Sequence, residues 1–351
     1  MNRVGVVCAL ASAALFGAST PAAKLLLGAL DPFLLAGLLY CGAGVGVAIF
    51  RRVAPAVTDQ SPAAQVALNA KDVPWLGAAI ATGGVIGPLL LMWGLARTDA
   101  SAASLLLALE GVATALIAWF VFHENFDRRI LVGFACLVAG AMILSWSGTP
   151  TLQTLSGPLA IMGACVAWGI DNNLTRKVSC ADPLQIVELK GLIAGPFNLG
   201  LGLCAGATLA PSPIWLVAGV IGFLGYGISL ALYVLALRHL GAARTGAYFS
   251  IAPFVGALIS VILLGDHLTL GLFAAGTLMG LGVWLHLSER HEHAHVHQAM
   301  THSHPHMHDE HHQHPHEPDD PPGEPHTHEH GHDPLVHTHP HTPDMHHLHR
   351  H

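Results

Sequence analysis

Between Val4 and Leu287 the chain is a succession of apolar runs of about twenty residues, each long enough as a helix to cross a hydrocarbon layer of ~30 Å. Ten such runs can be placed, at about 4–29, 32–50, 74–96, 100–122, 129–147, 156–178, 183–206, 213–237, 242–264 and 269–287. The expected fold is an all-α polytopic membrane protein of ten transmembrane helices, with the lipid bilayer as its partner. The mean hydropathy of +0.52 and the 11% content of charged residues exclude an ordinary soluble domain. No basic footprint for nucleic acid is present. The apolar run after Met1-Asn2-Arg3 continues past Ala11 to Ala13 up to Leu30, so it reads as a retained first span rather than a signal peptide.

Charge then orients the bundle. With the N-terminus inside, the inner segments hold Arg3, Arg51, Arg52, Lys71, Arg128, Arg129, Arg176, Lys177, Arg238, Arg244 and Arg290, whereas the outer side holds Arg97, with Lys24 near an outer end. This asymmetry predicts cytoplasmic termini and, with them, a multi-pass protein of the inner (plasma) membrane. Of the whole-chain charge of -7, the tail after Arg290 contributes ten acids and one base, while fourteen bases and twelve acids precede it.

The spans are rich in small residues and helix breakers. Gly42 and Gly46, Gly191 and Gly195, and Gly276 and Gly280 form GxxxG spacings that permit close helix approach. Pro21, Pro88, Pro158, Pro196 and Pro253 free backbone carbonyls that neighbouring helices or a wet cavity must satisfy. The six cysteines form no CxxC and read as small membrane residues.

The membrane part repeats itself. Phe16-Gly17 and Trp168-Gly169, Lys24 and Arg176, and Asp31-Pro32 and Asp182-Pro183 recur at offsets of about 152 residues, while Gly111-Val112 to Glu124 and Pro253-Phe254 to Asp266 recur at about 142. Five spans per half require the second copy to be inverted. The expected domains are residues 1–150, 151–290 and a disordered tail, 291–351.

On these residues the chain resembles the EamA family of the drug/metabolite transporter superfamily. The resemblance rests on Leu15-Phe16-Gly17-Ala18-Ser19-Thr20-Pro21-Ala22-Ala23-Lys24 and on the run from Ala100 to Phe126, echoed from Gly241 to Leu268. It covers about residues 4–287. Two positions depart from the family's usual pattern, with Gly111 in place of a proline and Asp266 in place of a glutamate. The resemblance implies two inverted five-helix repeats and an inner-membrane transporter, typically an exporter, working by alternating access. It also implies a central cavity lined by the first, third, fourth, sixth, eighth and ninth spans, and no required cofactor.

Ionisable groups inside spans cost about 2.5 to 3.5 kcal/mol each on insertion scales and therefore mark candidate sites. Glu110 lies near the middle of the fourth span with no base at helical spacing, which suits a proton carrier or a cation ligand. Asp171-Asn172-Asn173 is the most polar stretch in any span and could coordinate a cation or bind an amine; hydrogen bonding between helices is the plainer reading. Thr20 and Lys24 share one face of the first span, although Lys24 can snorkel outward. Trp93, Tyr226, Tyr233 and Tyr248 are possible cavity aromatics. Glu188 and Lys190, two residues apart, face different ways and are expected to be neutralised separately.

After Arg290 the composition inverts, and 23 of the 27 histidines fall in the last 61 residues. His291, His293, His295 and His297, His302, His304, His306 and His308, and His326, His328, His330 and His332 alternate with other residues. Imidazole with nearby carboxylates and no thiolate favours Ni(II), Co(II), Zn(II) or Cu(II). Three functions follow: a small-molecule exporter, a divalent-metal exporter whose tail collects its metal-ion substrate for Glu110 and Asp171, or a membrane-anchored metal buffer or sensor. No enzyme motif such as HExxH or GxSxG is present. Oligomeric state, coupling ion and transport direction have no sequence signal.

Overall fold

The computed structural model describes residues 3–57, 72–122, 128–145, 152–178, 182–208, 212–233, 235–236, 245, 248–287, 291–297, 300–306, 326–332 and 335–341. Up to Leu287 the described residues form helices and their connections. These include α1 (Arg3–Leu26), α2 (Pro32–Val57), α3 (Val73–Ala79), α4 (Gly87–Leu95), α5 (Ala100–Leu106), α6 (Leu109–Phe122), α7 (Arg128–Ser145), α8 (Leu152–Lys177), α9 (Pro183–Cys204) and α10 (Ser212–Gly222). Helices Ala252–Ile259 and Leu270–Leu287 follow.

Among the described residues six helical stretches are long and apolar enough to cross a membrane: Arg3–Leu26, Pro32–Val53, Val73–Leu95, Ala100–Ile117, Leu184–Cys204 and Pro213–Tyr233. Leu131–Ser145, Ala252–Leu264 and Leu270–Leu285 are apolar but shorter. The distribution of side chains fits a lipid-facing bundle. Large apolar groups such as Leu216, Leu263, Leu270 and Phe120 point outward, whereas Ala9, Ala13, Ala36, Ala194 and Ser12 are fully enclosed. Lipid rewards no burial of leucine, so small residues line the contacts that bring backbones together.

The spans are less regular than their hydropathy predicts. Ile80–Ile86, Phe223–Ile228 and Ser260–Leu264 are π-helical. In a π-helix the backbone bond reaches one residue further, a geometry found mostly as single turns at functional sites. The fourth span also breaks. Leu107 and Ala108 form a tight turn between α5 and α6, with Ala108 N donating to Leu105 O at 3.0 Å and Glu110 N to Leu107 O at 3.1 Å.

Two of the three GxxxG spacings mark close crossings. The Cβ of an alanine at Gly195 would lie 2.6 Å from Cys41 N, one at Gly44 2.6 Å from Leu192 N, and Gly42 packs against Gly219. Gly276 and Gly280 do not serve in this way, because an added Cβ there would make ordinary contacts, 3.6 Å from Leu105 Cδ1 and 3.7 Å from Phe254 Cε1. The close glycine on Leu270–Leu287 is Gly282, where a Cβ would stand 2.7 Å from Gly133 O on α7. Gly140 packs reciprocally against Met279 and Ala275 O.

The tail departs from the expectation of disorder in its described segments. Strands β1 (His291–His297) and β4 (Leu335–His341) pair antiparallel, as do β2 (Met300–His306) and β3 (His326–His332). A histidine at every second residue matches the two-residue period of a strand. An isolated two-stranded ladder is only marginally stable in water.

Candidate solute-binding site

Three polar side chains interrupt α8; the two amides are held by α6 and the carboxylate by α9. Asn172 Nδ2 donates to Glu110 Oε1 at 3.0 Å and to Thr114 Oγ1 at 3.1 Å, joining α8 to α6. Asn173 is buried and donates to Thr114 O at 3.0 Å and Gly169 O at 2.8 Å. The approach is possible because Gly169 lies against Ala113 and Thr114; a Cβ there would be 2.9 Å from Thr114 N.

Asp171 turns away from Glu110's helix. Its Oδ1 accepts from Lys190 Nζ at 2.5 Å and from Thr175 Oγ1 at 2.8 Å, and Lys190 also donates to Thr175 Oγ1 at 3.0 Å. Its carboxylate occupies the space left by Gly83, where any Cβ would overlap it. Gly83 is the middle of the π-helical turn, and its carbonyl accepts from Tyr40 Oη at 2.8 Å and Trp168 Nε1 at 2.9 Å. Asn198 Nδ2 donates to Gly84 O at 2.9 Å. Side chains thus satisfy the irregular carbonyls, as a lipid-enclosed helix requires.

Toward the predicted inner side, Arg51 bridges two carboxylates, donating to Asp182 Oδ2 at 2.9 Å and to Glu188 Oε2. Glu188 and Lys190 are therefore neutralised separately, by α2 and α8. Lys24 does not reach this region. Its ammonium donates to Leu95 O at 2.6 Å and Thr98 O at 2.7 Å, capping the end of α4. Trp93 lies at the same end under the Arg97 guanidinium, 3.8 Å from the ring centroid. Thr20 is buried in α1 next to Pro21.

A run of aromatic rings joins elements far apart in sequence. Tyr40 and Tyr226 have centroids 5.7 Å apart, Tyr226 and Phe16 5.8 Å, Phe16 and Phe249 5.4 Å, and Phe249 and Tyr233 5.0 Å. Sequence reasoning singled out Tyr226 and Tyr233 but missed Phe16, Tyr40 and Phe249, because no spacing rule links them. It likewise missed Arg51, whose position near the end of a span looked like a topology signal alone.

Among the described residues no group of three or more His, Cys, Asp or Glu side chains is arranged to hold a metal ion. Glu110 and Asp171, expected to share a metal, have different partners here, Asn172 for the first and Lys190 for the second. Of the tail histidines, those in β1 to β3 have a described backbone course only, and His308 lies outside the described residues.

This geometry of a broken helical bundle with a polar midsection agrees with comparison to known proteins. The chain belongs to the EamA-like transporter family, which matches residues 3–146 and again 155–288. An uncharacterized transporter of Methanothermobacter thermautotrophicus is 26% identical over 299 residues, spanning 81% of this chain and 87% of that one. A probable amino-acid metabolite efflux pump of Salmonella typhimurium is 28% identical over 208 residues, 54% of this chain and 67% of the pump. A probable terminal-alkyne amino-acid exporter of Streptantibioticus cattleyicolor is 26% identical over 201 residues, 56% of this chain and 67% of the exporter. One crystal structure shares the fold, with a TM-score of 0.56 at 18% identity, covering 80% of this chain and 94% of its own. The protein is a multi-pass membrane transporter of small molecules.

Proposed function

We propose that the protein exports small organic solutes across the inner membrane by alternating access, with both termini cytoplasmic. Two inverted five-helix repeats, residues 1–150 and 151–290, rock about the Glu110–Asn172 region. The observation that carries this reading is the reciprocity of the contacts between halves. Gly83 packs on Asp171 of α8, and Gly225 packs on Ser19 of α1; the two glycines are 142 residues apart and their partners 152, the offsets of the sequence repeat. Gly140 meets Met279 and Ala275, while Gly282 meets Leu137 and Gly133, again at 142. Such pairwise exchange is what two like halves related by a two-fold axis produce.

The named relatives support export, and two carry amino-acid-derived cargo in their names. The assay is accumulation by everted inner-membrane vesicles holding the full chain. A panel of radiolabelled amino acids, amines and sugars should include at least one solute taken up above vesicles lacking the protein and discharged by an uncoupler or ionophore. Vesicles indistinguishable from the control for the whole panel, with the protein present and folded, would refute the export reading.

The tail is assigned a separate role. Its register sets His291, His293 and His295 opposite His341, His339 and His337, and His302, His304 and His306 opposite His330, His328 and His326. We infer that the tail binds Ni(II), Co(II), Zn(II) or Cu(II), as a buffer or sensor attached to the exporter or as a collector of exported metal. Nickel uptake by vesicles carrying residues 1–290 separates these roles, because the collector role requires that the bundle itself move metal.

A further inference from the structure

Glu110 differs in its partners from Asp171, Asp182 and Glu188. Asp171 is paired with Lys190, and Asp182 and Glu188 share Arg51. Among the described residues Glu110 has an amide partner, Asn172, and no cationic one. It sits deep in the bundle, yet it keeps accessible surface, as do Thr114 and Asn172 beside it. The next residue, Gly111, is exposed, and a Cβ there would meet nothing within 4 Å. A carboxyl and an amide in mid-span belong toward the bundle interior, because lipid would not be offered them.

The aromatic run completes the setting. Tyr40, whose hydroxyl shares the Gly83 carbonyl with Trp168 of α8 one turn before Asn172, leads this run through Tyr226 to Tyr233, and all three keep part of their surface accessible. A carboxylate with no described counter-charge, bonded to the helix against which this run of rings begins, lacks one thing, a positive charge. A small hydrated metal ion would gain little from ring faces, whereas an ammonium group bearing carbon substituents gains from both rings and carboxylate.

We propose that Glu110, with Asn172 and the rings of Tyr226 and Tyr233, forms the binding site for the ammonium group of the transported solute. The inference rests on the transporter reading above and narrows it to amines and amino compounds that are cationic at neutral pH. Asn172 holds the carboxylate in place through its amide, so Asn172 is a positioning residue. Gly111 provides the room the substituent needs.

The test uses the full chain in lipid nanodiscs and two probes, phenethylamine and its uncharged N-acetyl derivative. Binding is read by titration calorimetry, and transport by counterflow in proteoliposomes. The wild type should bind phenethylamine at least tenfold more tightly than the N-acetyl form, with sodium ions not competing. Glu110→Gln should lose tenfold or more for the amine and leave the N-acetyl form unchanged. Tyr226→Leu should lose severalfold for the amine, while Tyr226→Phe retains binding. Gly111→Leu should weaken both probes by filling the space while retaining the charge. Glu110→Asp guards against misfolding as the cause, since it should recover part of the amine preference.

No binding of the amine by the wild type, or equal binding by Glu110→Gln, overturns the proposal. Counterflow separates it from the transporter reading. Amine that binds through Glu110 but does not cross the bilayer leaves the site standing and defeats transport of this class. Equal counterflow of both probes, unchanged in Glu110→Gln, leaves the transporter standing and defeats the site.

Discussion

Removing one partner of the Asp171–Lys190 pair should cost far more than removing both. The pair is short, 2.5 Å, and side-chain accessibility is 11% for Asp171 and 16% for Lys190. Breaking a buried pair by deleting one member costs about 3–5 kcal/mol, because the other charge stays buried without compensation. The residual accessibility places Asp171→Asn near the lower end, about 3 kcal/mol, with Lys190 left bonded to Thr175 Oγ1. Lys190→Met strands the Asp171 carboxylate against Gly83 and should cost about as much. Replacing both removes two desolvation penalties together, and such replacements are often nearly neutral. The double variant should therefore lie within about 1 kcal/mol of wild type, a coupling of several kcal/mol. The four proteins of the cycle, purified full length, are compared by equilibrium unfolding in mixed detergent micelles. A double variant whose loss equals the sum of the single losses to within about 0.5 kcal/mol, the additivity of uncoupled sites, would refute the reasoning.

Other outcomes follow from single contacts. Gly282→Ala and Gly140→Ala should each destabilise by about 1–3 kcal/mol, since the added Cβ would meet the Gly133 carbonyl in the first and the fully buried Met279 in the second; thermal unfolding in detergent reads both. Arg51→Lys should be clearly destabilising in the same assay, because an ammonium lacks the planar fork that reaches Asp182 and Glu188 together. Lys24→Met should lower stability through the loss of two charge-assisted bonds at the end of α4, about 1–3 kcal/mol in total, and leave amine affinity in calorimetry unchanged. Metal binding by the tail should be strong at pH 7.5 and fall steeply below pH 6, because a protonated imidazole cannot ligate; calorimetry with Ni(II) at the two pH values reads this directly.

Much of the architecture was legible because membrane insertion imposes a one-dimensional code. Length and hydropathy announced apolar helices, six of them long enough among the described residues to cross a membrane, and the paired motifs agree with a family match that recurs in each half. Glu110 and Asp171-Asn172-Asn173 stood out for the same reason, since each is an expensive residue in an apolar run. Their partners could not be read. Lys190 lies 19 residues from Asp171, Asn172 lies 62 from Glu110, and Arg51 lies 131 from Asp182. Such pairings depend on which helices are neighbours, and hydropathy is silent on that. The choice among glycine motifs was equally hidden. Gly276 and Gly280 have the same spacing as Gly191 and Gly195, yet only the latter face another backbone.

By itself the sequence determined that the chain must be a helical membrane bundle, because about twenty consecutive apolar residues have no other way to satisfy their backbone in lipid. It also determined that the tail is chemically apart, since composition needs no folding to be seen. The tertiary structure alone decided which charges are cancelled and which is not. Asp171 and Glu110 are both carboxylates within spans, and packing brought a lysine to the first and an amide to the second. That difference arises from the approach of α8 to α9 and α6, and it ties one carboxylate to a lysine and the other to an amide.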